Sequence, residues 1–239
     1  MTVATGAKIS QAEPTVHPLT KPSENAFNFI SPGFVRQEPV VARDSQEIIG
    51  HELMLNNSSE LLAGNSNEAI NLIHDELLLK SLLNTNLSEI TDNAPVFIRL
   101  SPASLENPIL KELPPEHLIL AIHPSLTKTD THLTHCRELK SFGYHFALDD
   151  LNYSPGLYHL LGLADYLRFS INRDSAQNLN QRLDQIPRLS EKILVAKNIN
   201  SPEQLQIAYQ LPFLRYQGSY FGHATITTPP AGKRLHEKI

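Results

Sequence analysis

Two adjacent carboxylates, Asp149 and Asp150, end the strand-prone run His145-Phe146-Ala147-Leu148. Leu151-Asn152-Tyr153-Ser154-Pro155-Gly156 then turns the chain away. A buried parallel strand that ends in paired acids presents them at its carboxyl edge, where α/β folds bind ligands and metals. Paired acids there commonly hold divalent cations. Acids at a strand-to-helix junction can also simply cap the following turn, so the pair means little without the rest of a site. His132, His135 and Cys136 share one helical stretch, but no second cluster at ligand spacing accompanies them, which favours surface and core roles over a metal site.

The elements that must position these acids follow from hydrophobic period. Phe34–Ala42 and Glu47–Leu55 read as two strands around the polar Arg43-Asp44-Ser45-Gln46, a hairpin. Asn67–Leu83 carries apolar residues at a helical period. Strands are then expected at Val96–Leu100, Leu118–Ile122, Tyr144–Leu148, Tyr166–Ile171, Lys192–Ala196 and Phe213–Tyr216. Helices are expected between them, from Ser101, over Thr131–Phe142 with Gly143 closing it, over Pro155–Leu163, over Ser175–Ile186, and from Ser201-Pro202 through Leu211. Such alternation implies parallel strands joined by right-handed crossovers, and the number of units favours a closed (β/α) barrel. Leu77-Leu78-Leu79 and Leu160-Leu161 read as barrel-facing core. Lys111, Glu112 and Glu116 read as a solvated face. The positions to inspect at the strand ends are Glu52, Arg99, Ala121, Asp149, Asp150, Arg168, Lys197 and Gln217.

Composition limits the function classes. The chain has 239 residues, 41% of them hydrophobic, with a net charge of -5 and one cysteine, Cys136. The charge and the lack of a basic run argue against nucleic-acid binding. No apolar run is long enough to span a membrane, and Met1–Gln11 is not a secretory signal, so a cytoplasmic location is expected. A lone cysteine excludes an internal disulfide framework. Residues 1–30 are small, polar and without period, and read as a flexible tail ahead of a single domain over residues 31–239.

From Phe34 to about Ile226 the chain resembles the EAL-domain cyclic-di-GMP phosphodiesterases, and is most similar to the branch in which an EAL domain precedes an HDOD domain. Phe34-Val35-Arg36-Gln37-Glu38-Pro39-Val40 resembles the opening strand, and Gly50-His51-Glu52-Leu53-Met54-Leu55 stands where the signature Glu-Ala-Leu lies. Leu113-Pro114-Pro115-Glu116-His117-Leu118-Ile119-Leu120 resembles the stretch before the third strand. Phe142-Gly143-Tyr144-His145-Phe146-Ala147-Leu148-Asp149-Asp150 is the strongest match, and Gln217-Gly218-Ser219-Tyr220-Phe221 resembles the closing Gln-Gly-Tyr element. The resemblance implies an EAL-type (β/α) TIM-like barrel of the α/β class.

The resemblance also implies a site of oxygen ligands around two divalent metals that activate water against a phosphodiester. Glu52, Asp149, Asp150 and Gln217 match that site. Arg99 stands where the family has a ligand Asn, Ala121 where it has a ligand Glu, and Arg168 where it has a Lys. Ser170 stands for an Asp, and Lys197 and Asn200 for two Glu residues. Protonated Arg and Lys side chains have no lone pair to donate to a metal and repel a cation. The expectation is therefore no bound metal, no cofactor and no hydrolysis. Glu52, Asp149 and Asp150 are expected in an internal ion-pair cluster, with Lys197 as the first partner of the acids and Arg99 as the second. Asn56 stands where family members place an Arg that holds the dinucleotide, which counts against cyclic-di-GMP binding, whereas Arg99, Arg168 and Lys197 can hold phosphate oxygens.

The expected function is a catalytically inactive bacterial signalling or regulatory module that works by binding another protein of its pathway, with a homodimer as a further option. The alternatives are a cyclic-di-GMP receptor without hydrolysis and a residual cyclic-di-GMP phosphodiesterase.

Overall fold

The computed structural model describes residues 35–55, 68–124, 130–171, 176–222 and 225–227. The hairpin β1 (Val35–Ala42) and β2 (Ile48–Leu55) is followed by β3 (Val96–Arg99), β4 (Leu118–Ile122), β5 (His145–Asp149), β6 (Tyr166–Ser170), β7 (Ile193–Lys197), β8 (Arg215–Gln217) and β9 (Thr225–Thr227). The helices are α1 (Glu68–Leu83), α2 (Leu87–Thr91), α3 (Asp130–Ser141), α4 (Tyr158–Leu163), α5 (Ala176–Asp184) and α6 (Pro202–Tyr209), with 3₁₀ turns such as Pro102–Glu106 between them. The strand order β2-β3-β4-β5-β6-β7-β8-β1 closes on itself because β1 also pairs with β2, giving an eight-stranded barrel. From β2 to β8 neighbouring strands are parallel. β1 is antiparallel to β2, to β8 along Val40–Ala42 and to β9 along Val35–Gln37.

The period of two within each strand divides its residues between two cores. Val40, Phe97, Ile119, Ala121, Ala147, Tyr166 and Val195 fill the barrel interior. Leu53, Ile98, Leu120, Phe146, Leu148, Leu167, Phe169 and Ala196 belong to the outer core, which also takes in Leu78, Leu79 and Leu82 of α1. Burial on both faces explains why β4 is five buried apolar residues in a row, Leu118 to Ile122. Toward the carboxyl ends, the inward positions cease to be apolar and become Glu52, Asp149, Arg168, Ser170, Lys197 and Gln217, all buried.

Helix ends follow their local chemistry. Ser201 accepts a hydrogen bond from the Gln204 amide at 3.4 Å, and Pro202 opens α6. Gly143, at φ +103°, carries the chain out of α3 into β5. The barrel elements expected from the sequence are present. Four features differ from expectation. The three-residue strand β9 and the short α2 were not foreseen. The first turn after β3 is 3₁₀, as suits its prolines at Pro102 and Pro108. Leu77 does not join the core. It is 53% exposed, whereas Leu78 and Leu79 are buried, since three consecutive helical residues sweep about 200° and one must face outward. Leu160 and Leu161 are both buried.

Gly218 joins β8 to the Ser219–Phe221 turn at φ +152°, and a Cβ there would sit 2.1 Å from the Ile199 carbonyl oxygen. The same Ile199 backbone donates to Gln217 and accepts from Tyr220, so it has no freedom to retreat. Gly218→Ala is expected to destabilise the domain by about 3 kcal/mol, read as a lower urea midpoint with an unchanged slope.

Candidate functional site

Arg168 lies at the centre of the barrel mouth with 0% exposure. Its position in β6 turns it inward beside Asp149, its cross-strand partner in β5. The guanidinium forks between two carboxylates. Nε donates to Asp149 Oδ1 at 2.6 Å and Nη2 to Asp149 Oδ2 at 3.1 Å. Nη1 and Nη2 donate to Glu52 Oε2 and Oε1 at 3.2 and 3.0 Å. The cation also sits 5.0 Å from the centre of the Phe97 ring, on the interior side.

Two further cations meet Asp149. Lys197 Nζ lies 3.0 Å, and Arg99 Nη2 3.1 Å, from Oδ2. Lys197 is buried at the end of β7, and its ammonium is also 3.7 Å from Asp150. Both expected pairings are therefore present. The choice of Lys197 and Arg99 as the main counter-charges is corrected, because Arg168 alone holds both buried acids. Gln217 donates through Nε2 to Glu52 and, at 2.8 Å, to Glu38.

The other positions divide as follows. Asp150, at φ +50°, turns away from the centre and accepts from the Ser170 amide at 2.7 Å and the Ser170 hydroxyl at 3.1 Å. Asn198 donates to that hydroxyl at 3.0 Å. Ala121 lies in the interior with no polar atom to offer. Asn200 stands apart and accepts from the amide and hydroxyl of Ser219, bracing the turn after β8. Asn56 lies outside the described residues. Glu38 was missed by sequence reasoning, although its place two residues before the inward Val40 in β1 would have found it. Arg182 was missed too. It reaches from α5 to the Asp150 and Leu151 carbonyls at 3.2 and 3.1 Å.

The electrostatics follow from burial against charge. Burial is the largest influence on Glu52 and pushes its carboxyl up, but Arg168 and then Arg99 outweigh it and hold the group at about 2. Burial likewise opposes ionisation of Asp149, yet Arg168, Lys197 and Arg99 together keep it well below the usual carboxylate range. Burial lowers Lys197 most, and repulsion from Arg168 and Arg99 adds to this against the pull of Asp149. The donor set does not fit a pair of divalent cations. Both oxygens of Glu52 and of Asp149 already accept from guanidinium or ammonium groups, and these cations fill the space between the acids.

The EAL domain family model matches residues 34–224, and the chain belongs to that family. The "Uncharacterized protein YuxH" of Bacillus subtilis is 24% identical over 200 residues, 81% of this chain. The chain spans 47% of that curated relative's length. The Bacillus subtilis YkuI protein, solved with an EAL domain in complex with c-di-GMP and calcium, is 16% identical with a TM-score of 0.63. The match covers 81% of this chain and 55% of that one. The EAL domain of FimX from Pseudomonas aeruginosa, solved bound to c-di-GMP, is 19% identical with a TM-score of 0.54 over 80% of this chain and 90% of that one. At these identities the solved structures establish the shared barrel.

Removing Arg168 leaves two buried carboxylates facing each other. Arg168→Gln is expected to cost about 3–5 kcal/mol. Arg99→Gln, at a half-exposed cation, should cost under about 1 kcal/mol. Chemical denaturation of the two variants checks the difference. Glu52 and Asp149 have depressed folded-state values, so their contribution is full above the unfolded carboxylate value of 4.5 and is lost as pH falls through about 2. Wild-type stability should therefore fall as pH drops below 4.5, and in Arg168→Gln that fall should lose its share from this pair. Urea midpoints measured across this pH range test it.

Proposed function

We propose that this EAL-domain protein is a catalytically inactive signalling or regulatory module of the bacterial cytoplasm, acting through contact with another protein of its pathway. One observation carries this reading. Both oxygens of Glu52 and of Asp149 accept from Arg168, and Lys197 and Arg99, at positions where the family has oxygen ligands, pair with Asp149 as well, whereas hydrolysis by two metals needs oxygen ligands free to hold cations. In this reading Glu52, Asp149, Asp150 and Gln217 are the remnant of the family site, and Arg99, Ala121, Arg168, Lys197 and Asn200 are its substituted positions. A domain that has given up its chemistry while keeping its core is of use through its surface. Among the described residues no helix is long and apolar enough to cross a membrane.

A second reading is a receptor that binds cyclic-di-GMP without cleaving it. Arg99 favours it, since its side chain is 54% exposed at the mouth and a guanidinium suits phosphate oxygens. YkuI and the FimX EAL domain were solved with that dinucleotide.

Incubation with cyclic-di-GMP and magnesium or manganese is expected to release no product. Metal-dependent turnover that disappears in Asp149→Ala would establish a residual phosphodiesterase and end the proposal. Calorimetric titration with the dinucleotide separates the receptor from the pure protein-binding module. Restoring the family residues together, as Arg99→Asn, Ala121→Glu, Arg168→Lys, Lys197→Glu and Asn200→Glu, should create a divalent-cation site. The gain should read as a metal-dependent rise of about 2.7 kcal/mol at a hundredfold excess over Kd, with no such rise in the wild type.

A further inference from the structure

A cleft of about 290 Å³ opens at the foot of the barrel. One wall runs from Leu82, near the end of α1, to Ser88 in α2. The other is the stretch from Glu112 to His117, which enters the amino end of β4 and so lies at the opposite end from the mouth. Leu82, Leu87 and Leu113 bring buried apolar side chains to the cleft, and Leu83, at 39% exposure, meets solvent at its edge. A space of this size takes one or two side chains and not a whole cofactor, and walls from two separate stretches suit a passing segment of chain.

The charge at the rim is one-sided. Glu112 and Glu116 are exposed, and among the described residues neither makes an ion pair. The neighbouring bases are engaged elsewhere, Lys111 with Glu138 at 3.0 Å and Lys80 with Glu76 at 2.6 Å. The carboxyl end of α1, a helix of 16 residues, adds negative partial charge. An apolar floor under a negative rim complements a large aliphatic side chain flanked by lysine or arginine. The same rim repels the phosphates of nucleic acids and anionic lipids. The longer stretches outside the described residues connect at the mouth end, after β2 and β4, before Val35 and after Thr227, so the cleft is remote from their points of attachment.

We propose that this cleft is a docking site for a basic peptide segment of another protein. A leucine-sized side chain of the segment sits among Leu82, Leu87 and Leu113, and the lysine or arginine beside it pairs with Glu112 and Glu116. This gives a surface to the protein contact proposed above and rests on that reading.

Fluorescence anisotropy of a labelled, capped peptide, Gly-Ser-Arg-Leu-Lys-Ser-Gly, titrated with the full chain tests it. A Kd of about 100 μM is expected at low ionic strength. Serine in place of the peptide's leucine should weaken binding roughly tenfold. Glu112→Lys combined with Glu116→Lys should weaken it roughly tenfold as well. A peptide with glutamate in place of its arginine and lysine should then bind that variant better than it binds the wild type, which a merely structural role of the two acids would not produce. Asp184→Lys, an exposed acid of α5 outside the cleft, should leave the Kd unchanged. Every substituted position is exposed, so circular dichroism should not change. Absence of binding at about 1 mM overturns the proposal. So does equal binding of the serine peptide, or a double charge variant that binds like the wild type. If the peptide binds only after residues 228–239 are removed, the chain's own end holds the cleft and the assignment to another protein fails. Hydrolysis of cyclic-di-GMP would end the inactive-module reading without altering this titration, and a silent cleft would leave that reading standing.

Discussion

The mouth of this barrel is organised by one guanidinium between two carboxylates. Glu52 on β2 and Asp149 on β5 point inward, and nothing but a cation between them lets both stay ionised out of water. Arg168 supplies that cation from β6, with a planar fork that reaches both acids at once and an aromatic ring beneath it. A lysine in the same place presents a single point charge and cannot make two bidentate contacts. Lys197, Arg99 and Gln217 then fill the remaining acceptor positions on the same acids. The strands that carry these residues are consequently tied across the mouth and not only along their hydrogen-bonded edges.

The arrangement separates the barrel's packing from its charged mouth. The interior below the mouth is apolar, from Val40 and Phe97 to Val195, and makes no demand on what sits above it. The upper layer must be electrically balanced, and internal cations meet that demand as well as bound ones do. Such a network is weak evidence of extra stability, because desolvating each member offsets much of the attraction. What it does provide is a single arrangement of the strand ends, since any other leaves a buried charge alone.

Much of the fold could be read from the sequence because two periods were clear in it. Continuous apolar runs bounded by Pro, Gly, Asn and Asp marked β3 to β7, and the paired acids marked the end of β5. β9 could not be read. Three residues, Thr225 to Thr227, carry no period, and their partner β1 lies almost at the other end of the chain. The exposure of Leu77 was hidden by composition, since a run of three leucines looks like core until the helical sweep is applied. At the site, the members were visible but the pairing was not. Arg168 was placed at a strand position, yet which acids it meets depends on the lateral register Asp149↔Arg168 and on the closure that brings β2 across the mouth. Glu38 went unnoticed because it lies on the one strand that runs against the others, so that residues before its carboxyl end meet the mouth.

β1 holds both ends of the barrel together, pairing with its hairpin neighbour β2 on one side and with β8 and β9 on the other. The Gln217–Glu38 hydrogen bond spans 179 positions of sequence. On a ribosome the hairpin emerges before the other barrel strands and must wait with one edge unpaired until β8 and β9 have been made. During that interval the nascent polypeptide is an open, curved sheet with an uncapped border, the form most exposed to wrong strand partners and most in need of a chaperone. The seam that finishes the barrel is therefore also the step at which its biosynthesis is most vulnerable.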